Sequence, residues 1–469
     1  MSIEDSLANT KIMGSKITPT WMNNVQDALG NGYASQGPTT IIFYDPIATE
    51  YKARNGLTGK ISTHNTDYAD IIQETVNTET ANGGVIYVRS PGVFTKYVQV
   101  KANIQIVGNG RYSRLTKASD YAGGFGAFFN LQGSNTSLTN FWLEGQGTSP
   151  NQEKLVTVNP AAVNIENVKI RDIYLHDSGY QGIVAASAGA GTTTDIDISN
   201  CIVDNSAKAA FVFGPGVAVG RIRNCRAIEP GHSGVDIWGC DRYTLVENCE
   251  ILKTVHTLGG GIYVTSIPDA LPEHDTQEVI IRNNRIKGAM EFDGICVHSN
   301  GEHVVADGNM VDGATRNGIV VMAFAFGGTN YYGKNVTIVN NDVRNVGSKP
   351  GNGIVIYGNG LEATVNENII ANNRILNAGV YGIEVYDHFR CAVTGNVINL
   401  PARTTANSSG IVLYHARRCT VTGNIIYGDA NVDYGIEEIG LANYNAIVGN
   451  VSNKPYLIIG DNTQDGHNV

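Results

Sequence analysis

IDISNCIV at residues 196–203, GRIRNCRAI at 220–228 and TLVENCEI at 244–251 are three copies of one phrase, apolar-x-apolar-x-Asn-x-x-Ile/Val. The phrase returns at intervals of 23 to 36 residues as far as residue 451, with its Asn at Asn200, Asn224, Asn248, Asn284, Asn309, Asn341, Asn373, Asn396, Asn424 and Asn450. A second phrase, Gly-Ile/Val-x-apolar, precedes most copies, at Gly182, Gly234, Gly261, Gly294, Gly318, Gly353, Gly382, Gly410 and Gly435. Repetition at these lengths predicts a solenoid with one coil per copy.

The repeated phrase specifies strands and corners. Alternating apolar residues bury one face of a short strand, and Asn tolerates the left-handed backbone of a sharp corner. We therefore predict an all-β chain, a right-handed single-stranded parallel β-helix (solenoid), with weaker early coils around Asn140 and Asp172. The Asn amides are expected to hydrogen-bond from coil to coil. Cys201, Cys225 and Cys249 are expected to stack as buried free thiols.

Composition limits the partners. The chain has 469 residues, a net charge of −10 and no block of like charge, so we expect neither nucleic acid nor membrane as a partner. Seven cysteines without a CxxC pair predict no disulfide framework and no zinc site. No signal-peptide pattern is visible, which predicts synthesis in a reducing cytoplasm.

The N-terminal segment differs from the repeat. Residues 17–29, ITPTWMNNVQDAL, predict a short helix with Thr18 as N-cap and Pro19 in its first turn. This segment resembles the N-terminal helix of bacteriophage tail-fibre and tailspike proteins. The resemblance implies virion attachment through residues 1–38, a homotrimer, and a location on the virion tail or outside the cell. Residues 30–48 are expected to be a linker, completing an N-terminal region 1–48.

Residues 49–125 resemble the opening of the pectate-lyase-like superfamily. The matching pieces are YKARNGLTGK, DYADIIQETVN, GGVIYVRSPGVF and IQIVGNGR. The second piece predicts a helix whose Ile71, Ile72, Thr75 and Val76 cover the open end of the first coil. A β-helix over 126–455 and a C-terminal end at 456–469 follow. The superfamily contains lyases, hydrolases, epimerases and non-catalytic spikes, so the resemblance implies a fold more than an activity.

The Gly-Ile/Val-x-apolar phrase predicts which side chains share a face. With Gly as position zero, positions +2 and +4 point outward and stack about 4.8 Å apart between coils. Aromatic residues on this face suit the rings of a sugar chain. An aromatic ladder or a protomer interface is the alternative. The predicted substrate-binding residues are Trp238, Tyr357, Tyr386, His388, Tyr414, His415 and Arg417.

Two ionisable clusters lie along the same face. Carboxylates beside Tyr and His supply the acid and the base that cleave a glycosidic bond or abstract a proton beside a carboxylate. The second cluster contains two carboxylates about 10 Å apart, near the upper limit for an inverting hydrolase. The predicted catalytic residues are Asp236, Tyr263, Glu291, Asp293 and His298 in the first cluster, and Glu384 and Glu437 in the second.

HSGVDIW at 232–238 resembles the Gly-Phe-Asp-Pro-His turn of alginate C5-epimerases, with Asp236 in the Asp position. Trp238 stands where that family has His, and no Pro follows Asp236. No cofactor motif is visible. HTLGGG at 256–261 and the acidic loop PEHD at 272–275 could bind a Ca²⁺ ion. Inserted loops are expected at 264–278, 322–335 and 358–366.

These features lead to one main hypothesis and two alternatives. The main hypothesis is a tailspike-like depolymerase, a lyase or glycoside hydrolase, that binds and cleaves a surface or acidic polysaccharide in a groove on the β-helix. The first alternative is a non-catalytic glycan-binding or structural spike. The second is a uronan C5-epimerase.

Overall fold

The computed structural model describes residues 39–119, 121, 128–147, 154–160, 163–187, 191–240, 242–254, 260–265, 278–290, 292–298, 303–322, 324–326, 329–331, 335–348, 351–358, 367–400, 408–466 and 468–469. For residues 289, 290, 298, 324–326 and 329–331 only the backbone is described. The predicted helix at 17–29 and the proposed attachment segment 1–38 lie outside these residues.

The chain winds through three parallel columns of strands, as predicted for a β-helix. In one coil it passes through Val235–Trp238, then Tyr243–Glu247, then Glu250–Leu252, before Ile262–Thr265 begins the next coil. Each strand pairs in parallel with its counterpart one coil later. We call the three columns sheets I, II and III in this order. The long strands Ile104–Lys117 and Thr136–Glu144 run through both sheet II and sheet III.

Sheet I has 14 strands and carries the predicted groove. They are Val98–Val100, Phe129–Leu131, Lys154–Val158, Gln181–Ala185, Phe211–Phe213, Val235–Trp238, Ile262–Thr265, Ile295–His298, Ile319–Met322, Ile354–Tyr357, Tyr381–Tyr386, Ser408–Tyr414, Val432–Ile439 and Tyr456–Leu457. The coil at Phe211–Phe213 has no Gly-Ile/Val phrase, because Ala210 occupies position zero, and the sequence pattern missed it.

Sheets II and III pair along the same axis. Sheet II contains Thr40–Asp45, Gly84–Val88, Ile165–Arg171, Thr193–Ser199, Val219–Arg223, Tyr243–Glu247, Val279–Arg282, Val304–Asp307, Thr337–Val339, Ile369–Ala371, Ala392–Thr394, Thr420–Thr422, Ala446–Val448 and Gln464–Gly466. Sheet III contains Gly92–Phe94, Tyr174–Ser178, Ile202–Ser206, Arg226–Ile228, Glu250–Leu252, Arg285–Met290, Met310–Ala314, Asp342–Arg344, Arg374–Leu376, Val397–Leu400, Ile425–Gly428 and Val451–Ser452. Phe324–Phe326 and Thr329–Tyr331 form a separate antiparallel pair.

A helix closes the N-terminal end, as predicted. It spans Tyr68–Glu79 and begins after Asp67, whose carboxylate accepts a hydrogen bond of 2.9 Å from the backbone N–H of Asp70. The four residues expected to face the first coil, Ile71, Ile72, Thr75 and Val76, are buried. Their burial removes apolar surface from water and covers the edge of the solenoid.

The expected linker at 30–48 is wrong from Thr40 onward. Thr40–Asp45 is a strand that pairs in parallel with Gly84–Val88 and antiparallel with Glu50–Asn55, which pairs in turn with Ile61–Asn65. Ile42 is fully buried in the core, and this burial of apolar surface stabilises the short strand in the sheet. The β-helix therefore begins before residue 49.

The corner between sheets II and III contains two adjacent residues with different roles. The repeated phrase of the sequence analysis treated them as a single Asn position. The first position has a positive φ, a backbone conformation that Asn, Asp and Gly tolerate best. It is occupied by Asn140, Asp172, Asn200, Asn224, Asn248, Asn283, Gly308, Asn340, Asn372, Gly395, Gly423 and Gly449. The second position points inward and carries Cys201, Cys225 and Cys249, then Asn284, Asn309, Asn341, Asn373, Asn396, Asn424 and Asn450.

The inward Asn residues form a continuous hydrogen-bond ladder. The Asn341 side-chain oxygen accepts hydrogen bonds of 2.9 Å from both the backbone N–H and the side-chain amide of Asn309. The Asn341 amide donates in turn to Ala306 O and to Asn373 Oδ1. The predicted ladder is confirmed, but it begins only at Cys249, whose backbone N–H donates to Asn284 Oδ1. Here and below, this column from Cys249 to Asn450 is called the amide ladder.

The three stacked cysteines behave as predicted. All seven cysteines of the chain are described, and all are buried and free of disulfides. The Cys201 thiol lies 3.3 Å from Ser199 O, and Cys225 and Cys249 repeat this contact with the carbonyl two residues earlier. They fill the column as small, weakly donating side chains.

The Gly of the second phrase is required by the narrow interior. A Cβ atom at Gly294 would lie 2.2 Å from Val311, and one at Gly353 would lie 2.5 Å from Ile375. From Gly182 to Gly410 the space above this Gly is filled by a Val or Ile side chain from sheet III, and above Gly435 by Ser452. No helix in the described residues is long and apolar enough to cross a membrane.

Removing one member of the amide ladder should destabilise the coil. Asn341→Ala leaves two buried donors of Asn309 without their acceptor and Ala306 O without the Asn341 amide, which costs about 2–4 kcal/mol. Chemical denaturation measures the loss. The matched control is Asn340→Gly, at the adjacent exposed corner, where Gly keeps the positive φ and the expected change is below about 1 kcal/mol. Equal losses in the two variants would contradict a stabilising role for the ladder.

Candidate functional site

Sheet I aligns the outward residues as the second phrase predicts. Asp236 pairs with Tyr263, Tyr263 with Cys296, Cys296 with Val320 and Val320 with Val355. The column continues through Glu384, Val412 and Glu437. The +4 column is aligned in the same way, and Tyr357, Tyr386 and Tyr414 occupy three successive strands.

Much of this outward face is covered, contrary to the expectation that the +2 positions point to solvent. Cys296, Val320 and Val355 are fully buried on the outer side of the sheet, where Tyr263, Met322 and Tyr357 pack against them. The covered patch is apolar and lies between the two predicted clusters. Asp236 and the pair Glu384 and Glu437 thus occupy separate positions, five strands or about 24 Å apart from Asp236 to Glu384.

Asp236 is half-buried on this face. Its side chain keeps partial contact with solvent, but protein atoms enclose it on most sides. Burial disfavours the charged carboxylate and raises the pKa of Asp236 to about 7. The carboxyl group is therefore poised to gain or lose a proton near neutral pH.

Tyr263 lies on the next strand, about 5 Å from Asp236 by strand spacing. Burial is the largest cause that raises the pKa of its hydroxyl, and the charges of Cys296, Asp236 and Asp293 add to the effect. Tyr263 thus keeps its proton at neutral pH. Its ring meets the ring of His232 edge to face, with centroids 6.4 Å apart.

Asp293 is fully buried and lies outside the two outward columns, and its catalytic role stays a prediction. It precedes the strand at the buried −1 position, where its Oδ1 accepts hydrogen bonds of 2.9 Å from the backbone and side-chain N–H groups of Asn317. Asn317 Oδ1 accepts from the Asn352 backbone in the same way. This is a second, shorter ladder. Glu291 and the side chain of His298, the other members of the first cluster, lie outside the described residues.

Glu384 and Glu437 are both half-buried and separated by one intervening strand at Val412. Their backbones are about 10 Å apart. Asn352 donates a 2.5 Å hydrogen bond to Glu384, and the Ser409 hydroxyl donates a 2.6 Å bond to Glu437. Burial raises the pKa of Glu384, and the Asn352 hydrogen bond offsets part of that increase.

The tyrosine column forms a stack. The rings of Tyr386 and Tyr414 are nearly parallel, 5° apart, with centroids separated by 4.7 Å, and Tyr357 lies 5.5 Å from Tyr386 at 57°. The facing surfaces of Tyr386 and Tyr414 therefore cover each other. The ring edges and hydroxyls remain for contacts along the groove, which corrects the expectation of open flat surfaces. Burial, reinforced by the charge of Glu384, raises the pKa of Tyr357 to about 12.

The remaining predicted binding residues take different positions. His388 is buried and hydrogen-bonded to Asn368, so its predicted contact with substrate is wrong. Burial lowers its pKa to about 4, and the ring is neutral at pH 7. His415 packs on Tyr414 at 4.4 Å and bonds Asp387 at 3.1 Å. Its ring remains part of the face.

Trp238 and Arg417 lie at the two ends of the predicted groove. The Trp238 ring is half-buried against Val184 and Val212 and leans over Gly214, where a Cβ atom would lie 3.2 Å from the indole. Arg417 lies over the Phe389 ring at 5.7 Å, and its Nε donates to Leu441 O at 3.3 Å.

The sequence patterns missed Arg316. It lies two residues before Gly318, outside both outward columns, and its guanidinium rests over the Phe292 ring at 4.2 Å. Its positive charge lowers the pKa values of Cys296 and Tyr357, although burial keeps both above their ordinary values. These two residues are on the outer side of sheet I, so the guanidinium lies on that side as well.

The residues suggested for a Ca²⁺ ion, 256–259 and 272–275, lie outside the described part of the chain. Within that part, one group places metal-ligand atoms close together: Glu144, His176 and Asp177 on sheet III. His176 Nδ1 already bonds Glu144 at 2.7 Å, and Trp142 donates to the same carboxylate at 2.8 Å. This group of side chains lies on a different sheet from Asp236.

Comparison with known proteins agrees with the architecture. The family described as right-handed beta helix region matches residues 155–326 and 222–398, which together cover more than half of the chain. The chain belongs to the right-handed β-helix family. The handedness expected from the repeat is thereby confirmed. A search of curated proteins gave no match to this β-helix.

Solved structures share the fold at low sequence identity. Bacteriophage phi29 gene product 12 has a TM-score of 0.53 and 15% identity, over 81% of this chain and 50% of that chain. The tailspike protein of E. coli bacteriophage HK620, solved as a mutant with a pentasaccharide, has a TM-score of 0.51 and 13% identity, over 83% and 74%. The GH87 alpha-1,3-glucanase of Streptomyces thermodiastaticus has a TM-score of 0.50 and 14% identity, over 86% and 66%.

The raised pKa of Asp236 predicts a pH-dependent cost to stability. The unfolded chain ionises this carboxyl near pH 4, whereas the folded chain holds its proton up to about pH 7. Asp236 therefore lowers the stability of the fold progressively as the pH rises between these values and fully above pH 7. Asp236→Asn should raise the free energy of unfolding at pH 8.5, by about 1.4 kcal/mol or more, and have little effect at pH 4. An equal effect at both pH values, measured by denaturant titration, would contradict the burial of this carboxyl.

Proposed function

We propose that this β-helix binds a surface polysaccharide along sheet I and cleaves it at Asp236 and Tyr263. The observation that carries the proposal is the enclosed Asp236 carboxyl, with a pKa of about 7, one strand from a phenol that stays protonated. A carboxyl poised near neutral pH is an uncommon and costly feature of a folded protein. It suits a group that must take and return a proton.

The two groups divide the proton transfers. In an elimination, Asp236 accepts a proton from a ring carbon, and Tyr263 gives its proton to the glycosidic oxygen as the C–O bond breaks. A double bond forms in the sugar, and the proton on Asp236 then returns to the phenolate through solvent. In a hydrolysis, Asp236 accepts the proton of the attacking water instead. Both versions balance without a cofactor.

Glu384 and Glu437 form the second candidate pair of catalytic carboxylates. Their separation of about 10 Å lies near the upper limit for an acid and a base that admit a water molecule between them. The raised pKa of Glu384 suits the acid. However, each carboxylate is already held by a neighbouring donor, Asn352 or Ser409, and both are therefore better placed to bind sugar hydroxyls than to react.

The comparisons support a polysaccharide as the ligand. A tailspike protein solved with a pentasaccharide and an alpha-1,3-glucanase share this fold, although their low identity extends only to architecture. The tyrosine edges and hydroxyls beside Glu384 provide apolar and polar contacts suited to a sugar chain. Virion attachment through residues 1–38 and a homotrimer remain predictions from the sequence resemblance.

A non-catalytic glycan-binding spike is the second candidate. The stacking of Tyr386 on Tyr414 favours it, because mutual stacking stabilises successive coils without any reaction. This candidate predicts that the loss of Asp236 leaves function unchanged and that the loss of Tyr386 weakens adhesion. A uronan C5-epimerase would exchange the C5 proton without shortening the chain.

Size-exclusion chromatography of polysaccharide products tests the proposal. The wild-type protein should shorten at least one polymer in a panel of bacterial capsular polysaccharides. Asp236→Asn should lower the rate at least about 100-fold, since general acid–base groups contribute at this scale. Glu384→Gln should retain more activity than Asp236→Asn. Ultraviolet absorption of an unsaturated product distinguishes elimination from hydrolysis.

Three results of that experiment would contradict the proposal. Intact polymers across the whole panel would favour the binding spike. Proton exchange at C5 without shortening would favour the epimerase. Full activity in Asp236→Asn together with inactivity in Glu384→Gln would move the reaction to the second position. The denaturant titration described above tests whether Asp236→Asn is folded, and it thereby separates a loss of activity from a loss of structure.

A further inference from the structure

Arg316 provides a positive charge at the centre of the proposed groove. Its coil lies directly between the coils of Cys296 and Tyr357, two strands or about 10 Å from Tyr263. Its backbone N–H donates to Phe292 O at 3.2 Å, and its guanidinium lies over the ring of the same residue, 4.2 Å from the centroid. The hydrogen bond holds the backbone of Arg316, and the aromatic ring supports its side chain.

The guanidinium has no carboxylate partner among the described residues. The arginines at 171, 221, 223, 226, 282, 344 and 374 each pair with an acidic side chain on sheet II or III. Arg316 instead lies over an aromatic ring, and its charge lowers the pKa of the Asp293 carboxyl, which burial raises. The buried Oδ2 of nearby Asp293 also has no hydrogen-bond partner, yet it does not form an ion pair with Arg316. The N–H groups of Arg316 are available to a ligand.

The acidic side chains along sheet I carry less negative charge than their number suggests. Burial raises the pKa values of Asp236 and Glu384, which reduces their negative charge near neutral pH. An anionic polymer can therefore approach the groove although the chain as a whole is acidic. A guanidinium carries parallel N–H groups, which match the two oxygens of a carboxylate.

We infer that Arg316 binds the carboxylate of a uronic acid unit, and that the polysaccharide bound along sheet I is acidic. The inference rests on the proposed function and names its substrate class. Because the coil of Arg316 lies two strands, about 10 Å along the axis, from that of Tyr263, the recognised carboxylate belongs to a sugar next to the reacting unit rather than to the reacting unit itself. Arg316 is thus a residue that sets specificity at a neighbouring subsite.

Binding to paired polymers tests this assignment. The probe is an array of bacterial capsular polysaccharides that contain uronic acids, each printed both in native form and after chemical reduction of its carboxyl groups. The wild-type protein should bind a native polymer about 10- to 100-fold more tightly than its reduced form, the scale of a charge-assisted hydrogen bond. Arg316→Gln should lose that preference and leave binding to the reduced polymer unchanged. Arg316→Lys should retain part of the preference, because it keeps the positive charge but lacks the parallel N–H groups of a guanidinium.

The controls separate this inference from the function on which it rests. Arg374→Gln removes an exposed arginine from sheet III and should bind as the wild type does. Equal wild-type binding to native and reduced polymers would overturn the role of Arg316 and leave the polysaccharide groove intact. A loss of affinity for both forms in Arg316→Gln would also overturn it, since that result indicates a structural role. No binding to any polymer, native or reduced, would reject the proposed function itself.

Discussion

The amide ladder is the interaction on which the rest of the structure depends. From Cys249 to Asn450, the side-chain oxygen of each inward Asn accepts a hydrogen bond from the corner backbone N–H of the preceding coil. In a solenoid each coil contacts only its neighbours, so contacts between adjacent coils set the position of each coil. A one-residue slip of any strand would exchange its inner and outer faces. Buried amides without partners would make such a slip costly.

Because the register is fixed, the distances between side chains on the outer face of sheet I are fixed as well. Asp236 and Tyr263 must lie one strand apart, and Glu384 and Glu437 two strands apart, whatever the surrounding loops do. The same rigidity allows the chain to keep a carboxyl group in an enclosed position at a cost to stability. Costs of this kind are concentrated at functional sites, which is why Asp236 carries more weight than the exposed acids of sheets II and III.

The sequence predicted the coils and the outward columns because both depend on local requirements. Only Gly fits below Val311 at position 294, and only a few residues accept the corner backbone, so their spacing is visible in the chain. The sequence did not predict that Val320 and Val355 are covered, that His388 is buried, or that Tyr386 and Tyr414 stack. These depend on rotamers and on packing between coils far apart in sequence. Arg316 escaped notice because it lies outside the repeated phrase, and only the fold brings it to the groove.

The central claim is that sheet I binds a polysaccharide, and the position of a bound oligosaccharide tests it most directly. The measurement is a crystal structure of the protein with an oligosaccharide derived from a capsular polymer that it binds. The account predicts density along sheet I between Asp236 and Tyr414, with a carboxylate of the sugar within hydrogen-bond distance of Arg316. Density on sheet II or III, with sheet I empty, would contradict it.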